Sequence, residues 1–401
     1  MSRDAATAAG TVTFDLHGAV RVRLISPRPG DVEAASRQLG LLPATEAASP
    51  RPRPRPAAGP APEIRIRFVD GLRHGPSAYL EDRRIGFGGE TFYLRSANGR
   101  GCWVRVPIDR FGSDECEFVC PHGSGSVPLL REAVALAALH GGLTPVHASG
   151  FTHGSAGVLV AGWAHSGKTS SLLAFTREGA AFVGDDQLFV SGDGAMYGTR
   201  TPLELADWQL RQIPEAWERT GRGRRAAVRG LAALGRVRGR GFEDAAHAGG
   251  ARPLMARLLG GLERRLRVRL PADAVCPRLH EGAAPLTHVA FVSIHAAPDV
   301  RVERCDPGEM LERLCVLGRH ERLALVRAHL AYQCAFPGRR NERIDVAADT
   351  EARLLRQALA GTGTFLVRHP RPLPLQRLYE AMRPILDVEA GQQSRPALVA
   401  S

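Results

Sequence analysis

The chain has a single lysine, Lys168, which lies in the segment GWAHSGKT at residues 162–169. This segment fits the pattern G-x-x-x-x-G-K-[ST], in which backbone N–H groups surround phosphate oxygens and the lysine adds a point charge. All of the other 52 basic residues are arginine. Because a compact ammonium and a forked guanidinium are not interchangeable in a tight site, the one retained lysine indicates a specific chemical requirement.

The local sequence context favours phosphate binding by this segment. The apolar run at 158–162 predicts a strand that leads into it, and Thr169–Glu178 predicts the helix that follows. We expect the helix N-terminus to attract negative charge, Lys168 to contact the β- and γ-phosphates, and Thr169 to offer its hydroxyl to Mg²⁺. The predicted nucleotide contacts are Gly162, Trp163, Ala164, His165, Ser166, Gly167, Lys168, Thr169 and Ser170. The alternative is a glycine-rich turn with no ligand.

Two neighbouring aspartates, Asp185 and Asp186, follow Lys168 in the run AFVGDDQLFV at 181–190. This run predicts one strand. A carboxylate here can hold Mg²⁺ or its water shell, and a second can act as general base toward an attacking hydroxyl. Since neighbouring residues of a strand point to opposite faces, we expect one of the two to face the phosphates more directly. The alternative is an Asp-Asp turn that caps the strand.

Further candidates stand on less specific patterns. His147 precedes the lysine segment, although a lone histidine is more often structural. Glu204 is a candidate metal ligand or, alternatively, an acid at the start of a helix predicted at Glu204–Gln212. Arg339 and Arg340 follow a Pro-Gly turn and are candidates for stabilising phosphoryl charge, or alternatively solvated turn residues.

The order of His147, the loop Gly162–Thr169 and the sequence Gly184-Asp185-Asp186 resembles the kinase domain of HPr kinase/phosphorylase. That family comprises bacterial serine kinases related in fold to phosphoenolpyruvate carboxykinases. The resemblance covers residues 143–200. It implies Asp185 as the base on the acceptor hydroxyl, Asp186 as a Mg²⁺ contact and His147 as the residue that orients the acceptor. We expect ATP as the nucleotide, with GTP as the open alternative.

The sequence also departs from the family pattern. His165 stands where the family usually has a glycine, and Trp163 stands where it has a small or acidic residue. The family's glycine-rich signature further along the chain is not found. HPr is therefore not implied as the acceptor, nor is a family hexamer, and a homo-oligomer stays an open possibility.

These features predict an ATP- and Mg²⁺-dependent kinase in which Lys168, Asp185 and His147 are catalytic and Thr169, Asp186 and Glu204 hold the metal. The acceptor is a hydroxyl, with serine favoured, on a protein, peptide or small molecule. One alternative is an NTPase or nucleotide-binding module without phosphoryl transfer. The other is a carboxykinase-type enzyme, which would need a Mn²⁺ site and a pocket for an oxyacid.

Strands that alternate with helices predict an α/β fold with a P-loop kinase core and a β-rich N-terminal region. The expected divisions are a small α+β segment at 1–44, a Pro/Arg-rich linker or loop at 45–62, a β-rich module at 63–125, the kinase-like domain at 126–387 and a flexible tail at 388–401. Further strands are predicted at 11–25, Glu63–Pro107, His288–Ile294 and Thr364–Val367. Further helices are predicted at Glu33–Leu41, Leu129–Leu139, Pro253–Leu266, Pro307–Leu330, Thr350–Ala360 and Leu375–Ile385.

Composition limits the remaining classes of function. No apolar run reaches the roughly 20 residues of a membrane span, and the first residues lack an apolar signal core, so we expect no membrane association. Seven cysteines, an odd number, favour a reducing cytoplasmic location over a disulfide scaffold. The net charge of +12 is compatible with an acidic partner, but a general replacement of lysine by arginine explains it, so no nucleic acid is expected. The Arg-rich segment at 219–240 is either a basic recognition loop or a solvated insertion.

Overall fold

The structure is a computed structural model that describes residues 10–44, 61–96, 101–219, 221, 267–387 and 398–399. Within these residues the chain is mixed α/β, with four β-sheets, eleven α-helices and two short 3-10 helices. Most of the predicted linker and of the Arg-rich segment, the whole of the helix predicted at Pro253–Leu266 and most of the predicted tail lie outside the described residues.

The largest sheet is built from the N-terminal third of the chain. Its strands are β1 (Thr11–Leu16), β2 (Val20–Ile25), β3 (Glu63–Val69), β4 (Ala78–Leu80), β5 (Ile85–Gly88), β6 (Thr91–Arg95), β7 (Trp103–Arg105) and β8 (Glu117–Pro121). Their order is β1-β2-β3-β8-β7-β6-β5-β4, and β3 is parallel to both of its neighbours. In β2, Val22 and Leu24 are buried while Arg21 and Arg23 are exposed, because successive strand residues face opposite sides.

The second sheet carries the segment that contains Lys168. Its strands are β10 (Ala148–His153), β11 (Ala156–Ala161), β12 (Ala181–Gly184), β18 (His288–Ile294), β19 (Arg301–Arg304), β20 (Gly363–His369) and β21 (Leu398–Val399). In the order β12-β10-β11-β18-β20-β19-β21, the strands β11, β18 and β20 run parallel. Every residue of β11 is buried, as expected for a central strand covered on both faces.

The other strands form two small antiparallel sheets. The four-stranded sheet has the order β17-β14-β13-β9 and consists of β9 (Leu143–Val146), β13 (Leu188–Ser191), β14 (Ala195–Gly198) and β17 (Ala284–Pro285). The two-stranded sheet pairs β15 (Leu203–Leu205) with β16 (Val268–Leu270).

The helices pack around these sheets. They are α1 (Pro29–Leu39), α2 (Leu130–His140), α3 (Lys168–Arg177), α4 (Asp207–Leu210), α5 (Pro214–Arg219), α6 (Ala272–Val275), α7 (Pro307–Glu321), α8 (Leu323–Ala335), α9 (Glu342–Asp345), α10 (Ala347–Leu359) and α11 (Leu375–Met382). One apolar core joins the largest sheet to α2, and another joins the second sheet to α3 and α11. Among the described residues, no helix has the length and apolar character needed to span a bilayer.

Most of the predicted elements in the described part of the chain are confirmed. The two strands at 11–25, the β-rich stretch after Glu63 and the helix after Leu129 are all present. The strand and the helix on either side of the lysine segment are β11 and α3. The prediction of a single helix at Pro307–Leu330 is wrong, because the chain forms two helices that meet at Arg322. The guanidinium of Arg322 pairs with the buried Glu351 carboxylate at 2.7 Å.

The single strand predicted at 181–190 is also wrong. It is two strands, β12 and β13, which belong to different sheets, and Asp185 and Asp186 lie in the connection between them. Asp186 has a φ of 71°, a left-handed conformation that an aspartate tolerates better than most residues. The expectation that the two side chains point to opposite faces of one strand therefore does not apply.

The helix predicted to start at Glu204 is wrong as well. Glu204 lies in β15, opposite Arg269 of β16, and α4 begins only at Asp207. The flanking Leu203 and Leu205 are both fully buried, which is the two-residue period of a strand.

Candidate phosphate-binding site

The loop between β11 and α3 is closely packed at both of its glycines. A Cβ atom on Gly162 would lie 2.5 Å from the carbonyl oxygen of Val292, and one on Gly167 would lie 2.1 Å from Nε2 of His369. The same Nε2 atom of His369 also lies 2.9 Å from the carbonyl oxygen of Ser166. Side chains at either glycine would therefore displace the loop, so both glycines of the motif have a steric reason.

Lys168 lies at the base of the loop and is only 7% exposed. Its Nζ donates hydrogen bonds to the carbonyl oxygens of Gly162 and Trp163, each at 2.9 Å. Burial lowers the pKa of Lys168, while the charges of Asp185 and other nearby carboxylates act in the opposite direction. These two hydrogen bonds use two of the three N–H donors of the ammonium.

Asp185 lies beside the first turn of α3. Thr169 Oγ1 donates to its carboxylate, at 3.0 Å from Oδ2, and Ser149 Oγ donates a short hydrogen bond to Oδ1. Asp185 is 7% exposed, and burial raises its pKa to about 6 even though both hydroxyls stabilise the charged form. The site thus holds a buried carboxylate whose charge is only partly compensated.

The groups in this loop fit a phosphate and a magnesium ion. Ser166 Oγ is buried and has no hydrogen-bond partner among the described residues, although a buried hydroxyl is normally paired. The hydroxyl of Thr169 and the carboxylate of Asp185 are hard oxygen ligands of the kind that Mg²⁺ prefers. No group of three or more His, Cys, Asp or Glu side chains placed to hold a metal occurs in the described ranges, and Mg²⁺ commonly binds one or two carboxylates plus substrate phosphates.

Asp186 points to a different set of partners. Its Oδ1 lies 3.4 Å from Nδ1 of His147, and its Oδ2 accepts a hydrogen bond from Nη2 of Arg131 at 2.8 Å. Its side chain is 39% exposed. Burial, and then the charge of Lys168, lower the pKa of His147, so the neutral imidazole predominates at pH 7.

A cavity of about 170 Å³ opens beside His147 and Asp186. Its wall is formed mainly by residues of α2 and by the ends of α7 and α8 that meet at Arg322. The apolar part of the wall includes Leu136 and Leu325. The polar part includes the carboxylates of Glu132 and Glu321 and the guanidinium groups of Arg131 and Arg322. The cavity therefore adjoins the second aspartate, whereas the first aspartate adjoins the phosphate loop.

The other predicted nucleotide contacts lie around the outer part of the loop. Trp163 is 48% exposed, and its ring lies 4.2 Å from that of His320 on α7. His165 is exposed and accepts a hydrogen bond from Arg267, while Ala164 is exposed beside it. Ser170 points inward and accepts a hydrogen bond from Gln209 at 3.0 Å, so its side chain is used within the fold.

Three candidate residues from the sequence, Glu204, Arg339 and Arg340, form ion pairs away from the phosphate loop and the aspartate pair. The carboxylate of Glu204 pairs with Arg269 and, more loosely, with Arg267, and no contact joins it to the aspartate pair. Arg339 pairs with Glu90, and Arg340 lies 3.5 Å from the acid at the start of α9. Both arginines line a separate groove next to the largest sheet.

Four residues at or near the site are not predicted from the sequence: Ser149, Arg131, Glu321 and His369. Ser149 lies two residues after His147, and this spacing was the only local signal for it. The other three reach the site from elements far away in sequence, and no local pattern marks them. No protein-family model and no curated protein sequence matches this chain.

Proposed function

We propose that the protein binds ATP with Mg²⁺ and transfers the γ-phosphoryl group to a hydroxyl, as a kinase that resembles HPr kinase. One juxtaposition carries this proposal. The only lysine is buried at the base of a glycine-framed loop, beside a hydroxyl and a partly compensated carboxylate, and the next residue, Asp186, lines a cavity. Each of these parts has a role in phosphoryl transfer, which depends on positioning and charge neutralisation.

The loop supports triphosphate binding by three separate effects. The N–H groups at the start of α3 and the helix dipole favour an anion there. The remaining N–H donor of Lys168 and the unpaired hydroxyl of Ser166 are available to phosphate oxygens. Thr169 and Asp185 would hold Mg²⁺, which supplies charge neutralisation on the phosphates when it is bound.

The contacts favour roles for the two aspartates opposite to those that the family resemblance implies. Asp185 is tied to Thr169 and buried, which suits a carboxylate on the metal side. Asp186 faces the cavity, and His147 and Arg131 fix the orientation of its carboxylate. We therefore assign Asp186 as the base. The acceptor oxygen forms a bond to the γ-phosphorus, the bond from that phosphorus to the oxygen of ADP breaks, and the acceptor proton passes to Asp186.

The cavity favours transfer to an acceptor over simple hydrolysis. A site that only activates water needs no space beyond one water molecule, whereas this cavity is slightly larger than an engineered cavity of about 150 Å³ that binds benzene. Its wall includes His147 and Asp186, so a hydroxyl group bound there would lie beside the proposed base.

The test is phosphoryl transfer by variants that separate binding from chemistry. We expect Lys168→Met to weaken ATP binding about a hundredfold, since it removes a charge-assisted contact to phosphate. Arg177→Met is the matched control, because Arg177 is an exposed cation at the far end of the same helix. We expect Asp186→Asn to bind ATP normally but to form ADP at least about a hundredfold more slowly.

Transfer is followed by ³¹P NMR of the phosphorylated acceptor, and hydrolysis by release of inorganic phosphate. Phosphate release without any acceptor dependence would identify an NTPase instead. Equal ATP affinity for the wild type and Lys168→Met would contradict the proposal as a whole.

A further inference from the structure

The cavity beside Asp186 has a charge opposite to that of the whole chain. The protein carries a net charge of +12, yet four carboxylates and only two guanidinium groups line this cavity. Two of the carboxylates are balanced. Asp186 pairs with Arg131 at 2.8 Å, and Glu351 pairs with Arg322 at 2.7 Å. His147 is mostly neutral at pH 7 and does not offset the other two.

The two remaining carboxylates are Glu132 on α2 and Glu321 at the end of α7. Neither forms an ion pair with any residue in the ranges that the structure describes. Burial raises the pKa of Glu132; the charge of the neighbouring Arg131 acts against this increase, and the charge of Glu321 adds to it. Glu132 is partly buried and Glu321 is exposed, and a positively charged ligand between them would form charge-assisted contacts with both carboxylates.

Glu321 lines the cavity, and it is also near the phosphate loop. Its charge acts on both Lys168 and His147, raising the pKa of each. Its neighbour His320 contacts the ring of Trp163 on the loop. A cation held by Glu321 would therefore lie close to the transferring phosphoryl group, where positive charge stabilises the transition state.

We propose that the acceptor carries an ammonium group a few bonds from the hydroxyl that is phosphorylated, and that Glu132 and Glu321 bind this ammonium. The inference rests on the proposed kinase function and narrows its acceptor to a small amino alcohol or the amino-terminal serine of a peptide. The size of the cavity suits a fragment of about six to eight non-hydrogen atoms. The apolar side chains of Leu136 and Leu325 would contact its carbon atoms.

The experiment compares each amine with its N-acetylated form, which lacks the positive charge and is larger by an acetyl group, so the carboxylate variants below separate charge from size. Serinol, ethanolamine and the peptide Ser-Gly-Gly are each tested against the N-acetylated form, at saturating ATP and Mg²⁺, by ADP formation. We expect at least one amine to react with a kcat/KM about tenfold or more above that of its acetylated partner, since acetylation removes the charge. Phosphorylation of the peptide would identify an amino-terminal serine as the acceptor, whereas phosphorylation of serinol or ethanolamine would identify a small amino alcohol.

Two isosteric variants test the assignment of the carboxylates. We expect Glu132→Gln and Glu321→Gln each to raise the KM of the amine about tenfold, with the KM of ATP changed less than about twofold. Glu312→Gln is the control, because Glu312 is exposed on α7 and does not line the cavity. Thermal unfolding of each variant shows whether its fold is intact.

The inference is overturned if no amine has a higher kcat/KM than its acetylated partner. It is also overturned if the preference for the amine survives in the protein that carries both Glu132→Gln and Glu321→Gln. These outcomes differ from failure of the kinase proposal itself. If the wild type shows no Mg²⁺-dependent ATP binding, the function is wrong. If it binds ATP and phosphorylates the acetylated compounds equally well, only the charge of the acceptor is wrong.

Discussion

Two buried aspartates, one beside each of the two large sheets, show what distinguishes the candidate site. Asp31 on α1 lies next to the largest sheet, and Asp185 follows β12 of the second sheet. Asp31 is 4% exposed and accepts hydrogen bonds from the His122 ring and from the backbone N–H groups of Gly123 and Arg28. Burial acts to raise its pKa, but these donors hold it below the usual value.

Asp185 is as buried as Asp31, yet its pKa is shifted in the other direction. Its side-chain donors are two neutral hydroxyls, so burial dominates and raises the pKa to about 6. A carboxylate that the fold compensates fully is a structural element, whereas one that the fold leaves partly uncompensated is suited to a cation. Although similar fractions of the two side chains are exposed, Asp185 is surrounded by more protein than Asp31, so both its deeper position and its weaker donors contribute to the difference.

We expect the largest difference between the two aspartates when each is replaced by asparagine and ATP binding is measured. We expect Asp185→Asn to weaken Mg²⁺-dependent ATP binding about a hundredfold, because it removes the charge of the carboxylate that we propose as a metal ligand. Asp31→Asn should leave the affinity within about twofold, since Asp31 contacts α1 and the loop after β8. Calorimetric titration with ATP measures both, and equal losses in the two variants would contradict the comparison.

The same two variants should change stability in opposite directions at pH 7. The folded-state pKa of Asp185 lies above its unfolded value near 3.8, so ionisation at neutral pH destabilises the fold, and Asp185→Asn should raise the free energy of unfolding by about 2–3 kcal/mol. The pKa of Asp31 is lowered, so its charge stabilises the fold, and Asp31→Asn should cost about 2–3 kcal/mol. Urea unfolding at pH 7 measures both changes, and destabilisation by Asp185→Asn would count against the raised pKa.

A smaller effect is expected from pH. Because the pKa of Asp185 is raised to about 6, protonation at lower pH would remove the charge that we propose binds Mg²⁺, so Mg²⁺-dependent ATP binding should weaken about tenfold for each further pH unit. Asp31→Asn should leave the midpoint of this pH dependence unchanged, because the Asp31 carboxylate that it removes has a lowered pKa. Binding measured between pH 5 and 8 tests this, and a flat profile would show that Asp185 does not hold the metal.

The smallest effect should come from Glu204. Its carboxylate is paired with Arg269 and Arg267, so Glu204→Gln should change the Mg²⁺ dependence of ATP binding less than about twofold. A magnesium titration at fixed ATP measures this change. A tenfold loss would restore Glu204 to the metal site that the sequence suggested.

The sequence predicts those parts of the site whose residues are close together in the chain. The strand, loop and helix around Lys168 form one continuous segment, and each side chain follows from local spacing. The aspartate pair was found but misplaced in a strand, because apolar residues on both sides hide the left-handed turn at Asp186. Packing of distant helices brings Arg131 and Glu321 to the cavity, and no local pattern records that packing.

The same limit applies to the fold. Alternation in β1 and β2 predicts two strands, but their membership of one sheet with β3 to β8 depends on the parallel pairing of β2 with β3 across a long stretch of chain. The pairing of Glu204 with Arg269 likewise depends on β16, which lies more than sixty residues away in sequence. Local periodicity predicts that strands exist, whereas their partners are set by long-range contacts.

The proposed nucleotide site can be tested by titrating the unmodified protein with ATP, in the presence of Mg²⁺ and then of a chelator. We expect a dissociation constant in the micromolar range or below with Mg²⁺, which corresponds to about −8 kcal/mol, and a loss of affinity of at least about tenfold with the chelator. No binding, or the same affinity with and without the metal, would contradict it.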